Sequence, residues 1–137
     1  MNNKIYKKLI KMSNKALKKN EIAVAAVIAN DEKILASAYN KRVKTNDVTA
    51  HAEILAIRKA SKKIHDWRLN GYDMYVSLKP CKMCEEIIKA SRLDNCFYLI
   101  DRPENANECK NTKVSYKQTN YNNKLLEIFQ KSFKKLR

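Results

Sequence analysis

The sequence predicts a three-layer α/β domain, with a central mixed sheet of about five strands flanked by helices. Two observations predict it. Segments with apolar residues at helical spacing alternate with short apolar or β-branched runs, in the order α-β-β-α-β-α-β-(β)-α. A single Gly and two Pro punctuate 137 residues, which leaves no evident place for a domain boundary. That length suits one domain over residues 1–137, with a core that needs neither disulfides nor a structural metal. A metal in such a chain is then functional rather than a folding staple.

Residues 4–19 place Ile5, Leu9, Met12 and Ala16 at spacings of three and four, with Lys on the opposite face, which predicts an amphipathic helix. The run "EIAVAAVIAN" is short, apolar and bounded by charge, as a buried strand is. "KILASAYN" follows after the turn "NDE", so the two form a hairpin. Residues 41–50 are polar and turn-rich. A helix is expected from Ala50 to about Lys62, with Ile54, Leu55 and Ile57 on its buried side. "YDMYVSL" reads as a strand ended by Pro80, and a helix from near Cys81 to Arg92 follows. "NCFYLI" reads as a fourth strand, residues 103–113 as a loop or short helix, and "VSYKQ" as a short fifth strand. Residues 121–136 close the chain as a helix with Leu125, Leu126, Phe129 and Phe133 facing inward.

Twenty-nine Lys and Arg stand against 14 Asp and Glu, a formal net charge of +15. Such an excess favours a polyanionic partner. A Lys-, Asn- and Ile-rich composition from an AT-biased genome produces the same surplus. No apolar run is long enough to span a membrane. The first twenty residues are basic, but Lys interrupts them throughout, so they lack the apolar core of a signal peptide. A basic amphipathic presequence fits the same pattern. Four Cys in such a chain point to a reducing compartment and to free thiols or metal ligands, and the expectation is a cytoplasmic protein.

One constellation carries chemistry. The third strand runs into "PCKMC", where Cys81 and Cys84 lie one turn apart at a helix start, so both thiols can point at one atom. A helix N-terminus also favours thiolate. His51 begins another helix, and in a three-layer fold both helices start at the same edge of the sheet. One imidazole and two thiolates then converge as ligands of a Zn2+ ion, one per subunit. Three protein ligands leave a fourth position for water, the mark of a catalytic zinc, whose water loses its proton near pH 7. Glu53 cannot easily reach the same coordination point as His51, but it reaches the water and can move its proton. His-x-Glu alone is a weak signal: such residues more often cap a helix or sit in a first turn. Cys-x-x-Cys alone also fits a redox pair. The order His-x-Glu, then Pro-Cys-x-x-Cys, is the pattern of zinc nucleobase deaminases. Cys96, in a strand, and Cys109, in a loop, are read as non-ligands, and His65 is given no role.

With those residues in view, the chain from about Glu21 to Arg137 resembles the bacterial tRNA-specific adenosine deaminases of the cytidine/deoxycytidylate deaminase superfamily. "DVTAHAEILAIR" resembles their "DPTAHAEI-AIR", and "YVSLKPCKMC" their "YVTLEPC-MC". "SRL", "EIAVAAVI", "AYN" and "SFKKLR" resemble their "SRI", "EVPVGAV", "GWN" and "FFRMRR". The resemblance implies a cytidine-deaminase-like fold, a homodimer, and conversion of the wobble adenosine of an arginine tRNA anticodon to inosine. It implies His51, Cys81 and Cys84 as zinc ligands, Glu53 as proton shuttle, and Asn40, Ala52, Asp101 and Phe133 as substrate contacts. The chain departs from the family at Ala23 and Ala25, which replace Pro and Gly, and at Lys79, which replaces a Glu. Glu85 and Glu86 replace small residues, Asp101 and Arg102 stand in exchanged order, and "PENANECKN" replaces a glycine-rich loop. These departures bear on substrate contacts and leave the ligand set intact. Two other readings stay open: a deaminase of free cytosine, cytidine or guanine, and a non-catalytic zinc-containing RNA-binding subunit.

Overall fold

The computed structural model describes residues 3–31, 33–101 and 115–118, together with residues 124, 127, 128 and 131. Its elements are α1 (Asn3–Lys18), β1 (Ala25–Asn30), β2 (Lys33–Tyr39), α2 (Arg42–Thr45), α3 (Ala52–Ile64), β3 (Asp73–Leu78), α4 (Lys82–Ala90), β4 (Asn95–Ile100) and β5 (Ser115–Gln118). The strands form one five-stranded sheet in the order β2-β1-β3-β4-β5. β1 is antiparallel to both β2 and β3, whereas β3, β4 and β5 run parallel, so the sheet is mixed as expected.

β1 sets the layering. Successive side chains of a strand point to opposite faces, and β1 is apolar on both. Ala25, Val27 and Ala29 meet Ile5, Tyr6, Leu9 and Met12 of α1. Ala26 and Ile28 join the larger core with α3 and α4. A slip of one residue would exchange the two sets of partners, so the two cores together fix the register. On α3, Ala52, Ala56 and Ala60 recur every four residues and are all fully buried. This stripe of small side chains lets the helix backbone lie close to the sheet, and α4 adds Cys84 and Ile88 to the same core.

The boundaries differ from the sequence reading where long-range contacts intervene. β1 begins at Ala25 and not at Glu21, because Glu21 turns inward and is 1% exposed. Its carboxylate accepts the N–H groups of Val43 at 3.0 Å and Lys44 at 2.8 Å. Those bonds stabilise α2, a single turn within the segment expected to be irregular. α3 begins two residues later than expected, since Ala50 and His51 precede it in non-helical conformation. α4 ends at Ala90, and Arg92 takes a left-handed conformation (φ 66°) that turns the chain into β4. The fifth strand is present at residues 115–118. Residues 124, 127, 128 and 131 are helical, in line with a closing helix, and Ile128 is buried. The segment 103–113 and Leu125, Leu126, Phe129 and Phe133 lie outside the described residues.

The outer side of β2 is a sheet edge, and lysines of α3 cover it. Lys59 Nζ donates to the Ser37 carbonyl at 3.1 Å and Lys63 Nζ to the Leu35 carbonyl at 3.3 Å. Charged side chains on an edge oppose strand addition by another chain.

Leu9 is fully buried between α1 and the sheet. Leu9→Ala is expected to lower stability by about 2–5 kcal/mol, measured by urea denaturation of the zinc-loaded protein. A loss below about 1 kcal/mol would mean that α1 is not docked as described.

Candidate metal and catalytic site

The site forms where several chain ends meet. β2 runs out at Tyr39 and delivers Asn40; β3 runs out at Leu78 and delivers Cys81; antiparallel β1 starts at the same edge, preceded by Ile22 and Val24. A cavity of about 240 Å³ opens there, lined by these residues and by Arg42, His51, Ala52 and Glu53.

Each ligand candidate is fixed by local backbone chemistry. The Asp47 carboxylate accepts both the Thr49 N–H, at 2.8 Å, and its hydroxyl, at 2.7 Å. These bonds hold the Asp47 carboxyl below its ordinary range, the hydroxyl bond first. The resulting turn, closed by the Ala50 N–H on the Asp47 carbonyl at 3.1 Å, delivers His51 as the residue capping α3. His51 is extended (φ −73°, ψ 149°) and its side chain makes no capping bond, so the ring is free to face the cavity. Cys81 caps α4 in the same extended form (φ −71°, ψ 169°), again without a side-chain cap. Cys84 follows one turn on and is fully buried.

The three donor atoms come together as one ligand set, all within 4.8 Å of one another. His51 Nδ1 lies 3.7 Å from Cys81 Sγ and 3.5 Å from Cys84 Sγ. Tetrahedral zinc, with Zn–N of about 2.0–2.1 Å and Zn–S of about 2.3 Å, places nitrogen and sulfur about 3.6 Å apart. The donor set therefore fits zinc in both chemistry and spacing, and it forms a candidate metal site. Cys81 is pulled down to about 3, chiefly by the hydrogen bond it accepts from the Cys84 thiol and further by His51. Cys84 is pushed up, by donating that bond and by burial. Each thiol is the first cause of the other's shift, so the two titrate as a coupled pair.

Glu53 occupies the first turn of α3 and is 2% exposed. Its Oε1 has no hydrogen-bond partner, although it lines the cavity. Burial pushes its carboxyl up, against the opposing pull of its own backbone N–H, Cys84 and His51. An unpartnered buried carboxylate oxygen costs about 1–3 kcal/mol or more, and here it stands beside a three-ligand cluster with room for a small molecule.

The other expected contacts divide. Asn40 is buried and lines the cavity, as does fully buried Ala52. Asp101 is exposed beyond the end of β4 and is not among the lining residues. Phe133 lies outside the described residues. The Lys79 ammonium lies 5.7 Å from the centre of the Tyr98 ring. Glu85 points inward and is buried, while Glu86 is exposed. Arg42, Ile22, Val24 and Leu78 were not anticipated as lining residues. The alternation of Ile22 and Val24 with buried Ala23 was a readable signal; nothing in the spacing marked Arg42.

Residues 1–100 match the family model for the zinc-binding region of cytidine and deoxycytidylate deaminases. A tRNA-specific adenosine deaminase from Rickettsia felis is 43% identical over 91 residues, 65% of this chain and 63% of that protein's length. The chain thus spans less than two thirds of the length of that curated relative. A solved structure from work on A-to-I editing by tRNA:A34 deaminases at the wobble position is 27% identical, with a TM-score of 0.76 over 84% of this chain and 96% of the other. The guanine deaminase from Bacillus subtilis is 34% identical, with a TM-score of 0.68 over 74% of this chain and 66% of the other.

His51→Ala, Cys81→Ala and Cys84→Ala are each expected to lose zinc, read by metal analysis of the purified variants, whereas Glu53→Gln keeps it. Loss of the metal from Glu53→Gln would make the carboxylate a ligand. Because zinc binds thiolates and the Cys84 thiol is pushed up in the metal-free site, zinc uptake at neutral pH should release protons. Calorimetry in buffers of different ionisation enthalpy measures the release, and zero release would contradict the raised Cys84 thiol.

Proposed function

The chain belongs to the cytidine and deoxycytidylate deaminase zinc-binding family, and from that premise we propose that it converts the wobble adenosine of an arginine tRNA anticodon to inosine. The observation that carries a hydrolytic deaminase is the buried, unpartnered Glu53 Oε1 beside the His51, Cys81 and Cys84 cluster. The tRNA substrate is supported by the name of the Rickettsia relative and by the net charge of +15. In this reading residues 1–137 are a single zinc-dependent deaminase domain. It works as a homodimer in the cytoplasm, and no helix of the described residues is long and apolar enough to cross a membrane.

Zinc held by His51 Nδ1 and the two thiolates would supply Lewis-acid activation of the attacking water. Everything else falls to side chains. The target base must leave the anticodon stack to reach the cavity. Ala52, with only a methyl group, leaves room for a planar ring. The Asn40 amide donates and accepts at the purine edge. Glu53 takes a proton from the water and passes it to N1 of the adenine as C6 is attacked; it then takes the remaining proton of the hydroxyl added at C6 and delivers it to the departing amine. Water is consumed and ammonia leaves. The upward shift of the Glu53 carboxyl suits a group that must both take and return a proton near neutrality. Asp101, exposed beyond β4, is assigned to RNA outside the cavity, and Phe133 to RNA contact by the resemblance alone.

A second reading, deamination of free guanine, has the similarity to the Bacillus subtilis enzyme in its favour. Incubation with an arginine tRNA, a tRNA anticodon stem-loop, free guanine and free cytidine separates the two. Inosine at the wobble position, with no ammonia from the small substrates, is the expected result; xanthine from guanine reverses the order. Glu53→Gln should lower turnover by roughly 10²–10⁴-fold, read by ammonia release at matched zinc content. A variant that keeps wild-type turnover would remove Glu53 from the proton path.

A further inference from the structure

The edge of β2 carries more positive charge than edge protection needs. Lys59 is held there by its bond to the Ser37 carbonyl at 3.1 Å. Lys41 follows the end of the same strand, its ammonium 4.9 Å from the centre of the Tyr39 ring. Tyr39 and Ile34 of β2 also pack against the core that α1 forms with the sheet, and α1 carries Lys8 and Lys15. Partial burial and then the positive charges of Lys41, Lys15 and Lys8 make the Lys59 ammonium less favourable than usual. Four amines from three parts of the chain therefore act on one region. The strip ends at the candidate site, since Lys41 lies between Asn40 and Arg42, both of which line the cavity.

We propose that Lys8, Lys15, Lys41 and Lys59 form a track along the β2 edge for the phosphodiester backbone of the RNA whose target base enters the cavity. The identity of that RNA rests on the tRNA reading above; the track rests on the placement of the lysines. Like charges gathered without mutual neutralisation are relieved by a polyanion. A backbone track supplies affinity and register, and leaves choice of base to the cavity. Two other partners fit less well. The apolar face of α1, with Ile5, Leu9, Met12 and Ala16, is buried in the protein and is not available to enter a lipid surface. A second copy docked isologously here would set lysines against lysines.

The test compares the full-length, zinc-loaded protein with Lys8→Gln/Lys15→Gln/Lys59→Gln. A second variant, Lys8→Gln/Lys15→Gln, keeps the Lys59 bond to the sheet edge. Binding of an arginine tRNA is measured across a salt series, and deamination of the same tRNA in parallel. The triple variant should reduce the slope of log Kd against log salt by about two to three, at about 0.7–0.9 per lost phosphate contact, and the double variant by about one to two. KM should rise while kcat at saturating tRNA is unchanged, the pattern of lost uniform binding. Wild-type slopes and KM in both folded variants, with tRNA still deaminated, overturn the track and leave the function standing. Reduced slopes in the variants, with a wild type that makes no inosine, overturn the function and keep the track. Lysine-dependent binding to anionic phosphatidylserine vesicles, with the RNA slope unmoved, replaces RNA by membrane and also overturns it.

Discussion

The side-by-side start of α3 and α4 on one face of the sheet is the constraint from which the rest follows. His51 is separated from Cys81 by 30 residues and from Cys84 by 33. No local rule brings them together. They meet because the Ala52, Ala56 and Ala60 stripe seats α3 on β1 and β2, while Cys84 and Ile88 seat α4 in the same core. Both helices then present their first turns at one end of the sheet. Small residues on α3 matter for distance as well as burial. A larger side chain at Ala56 would lift the helix, and with it His51, away from thiols that need to stay about 3.6 Å from its nitrogen to share a zinc ion.

Sheet direction explains why this end of the domain holds the cavity. β3 and β4 are parallel and joined through α4, so α4 must start beyond the carboxyl end of β3. Ligand crevices in α/β sheets lie at such strand ends. β1 runs the opposite way, so its beginning, with Ile22 and Val24 just ahead of it, reaches the same edge. The end of β2 adds Asn40. The apolar wall, the amide and the ligands are thus consequences of one strand order. Arg42 is held near the rim by a different device. Glu21 ties the turn that contains Arg42 back to the start of the sheet, through two N–H bonds into a buried carboxylate.

Sequence patterns reveal these layers unevenly. The order of elements was readable because each long segment keeps one period: helical for Ile5, Leu9, Met12 and Ala16, continuous apolar for β1. The ligand set was readable because metal geometry demands particular residue types at particular spacings. The single turn α2 was not, since four residues are too few to show a period and Glu21, 22 and 23 residues away, is what stabilises them. Wall residues were hidden in the same way: Leu78 acquires its role through strand register and Arg42 through the turn that Glu21 ties down, and a linear pattern contains neither. Asp101 illustrates the converse. A position matched by motif is exposed here and stands apart from the cavity.

Electrostatics links the site to the surface. A buried acid, a buried thiol and a half-buried one are costly to keep charged. The fold offsets part of that cost with two helix N-termini, whose unpaired N–H groups favour negative charge, and the hydrogen bond from Cys84 to Cys81 offsets more. Glu53 Oε1 is left without a partner, and this is the cost that no element of the fold relieves. Folding alone gives no reason to retain it: Gln at that position would fill the same volume without a charge to bury. A carboxylate held there is intelligible only if something small and protic visits the cavity. Outside, the imbalance runs the other way, with lysines crowded along an exposed strand edge. The acid lines a cavity that Arg42 also lines, and Lys41 lies in sequence between two of its lining residues, Asn40 and Arg42, so positive charge stands beside the one carboxylate oxygen that the fold leaves unpartnered.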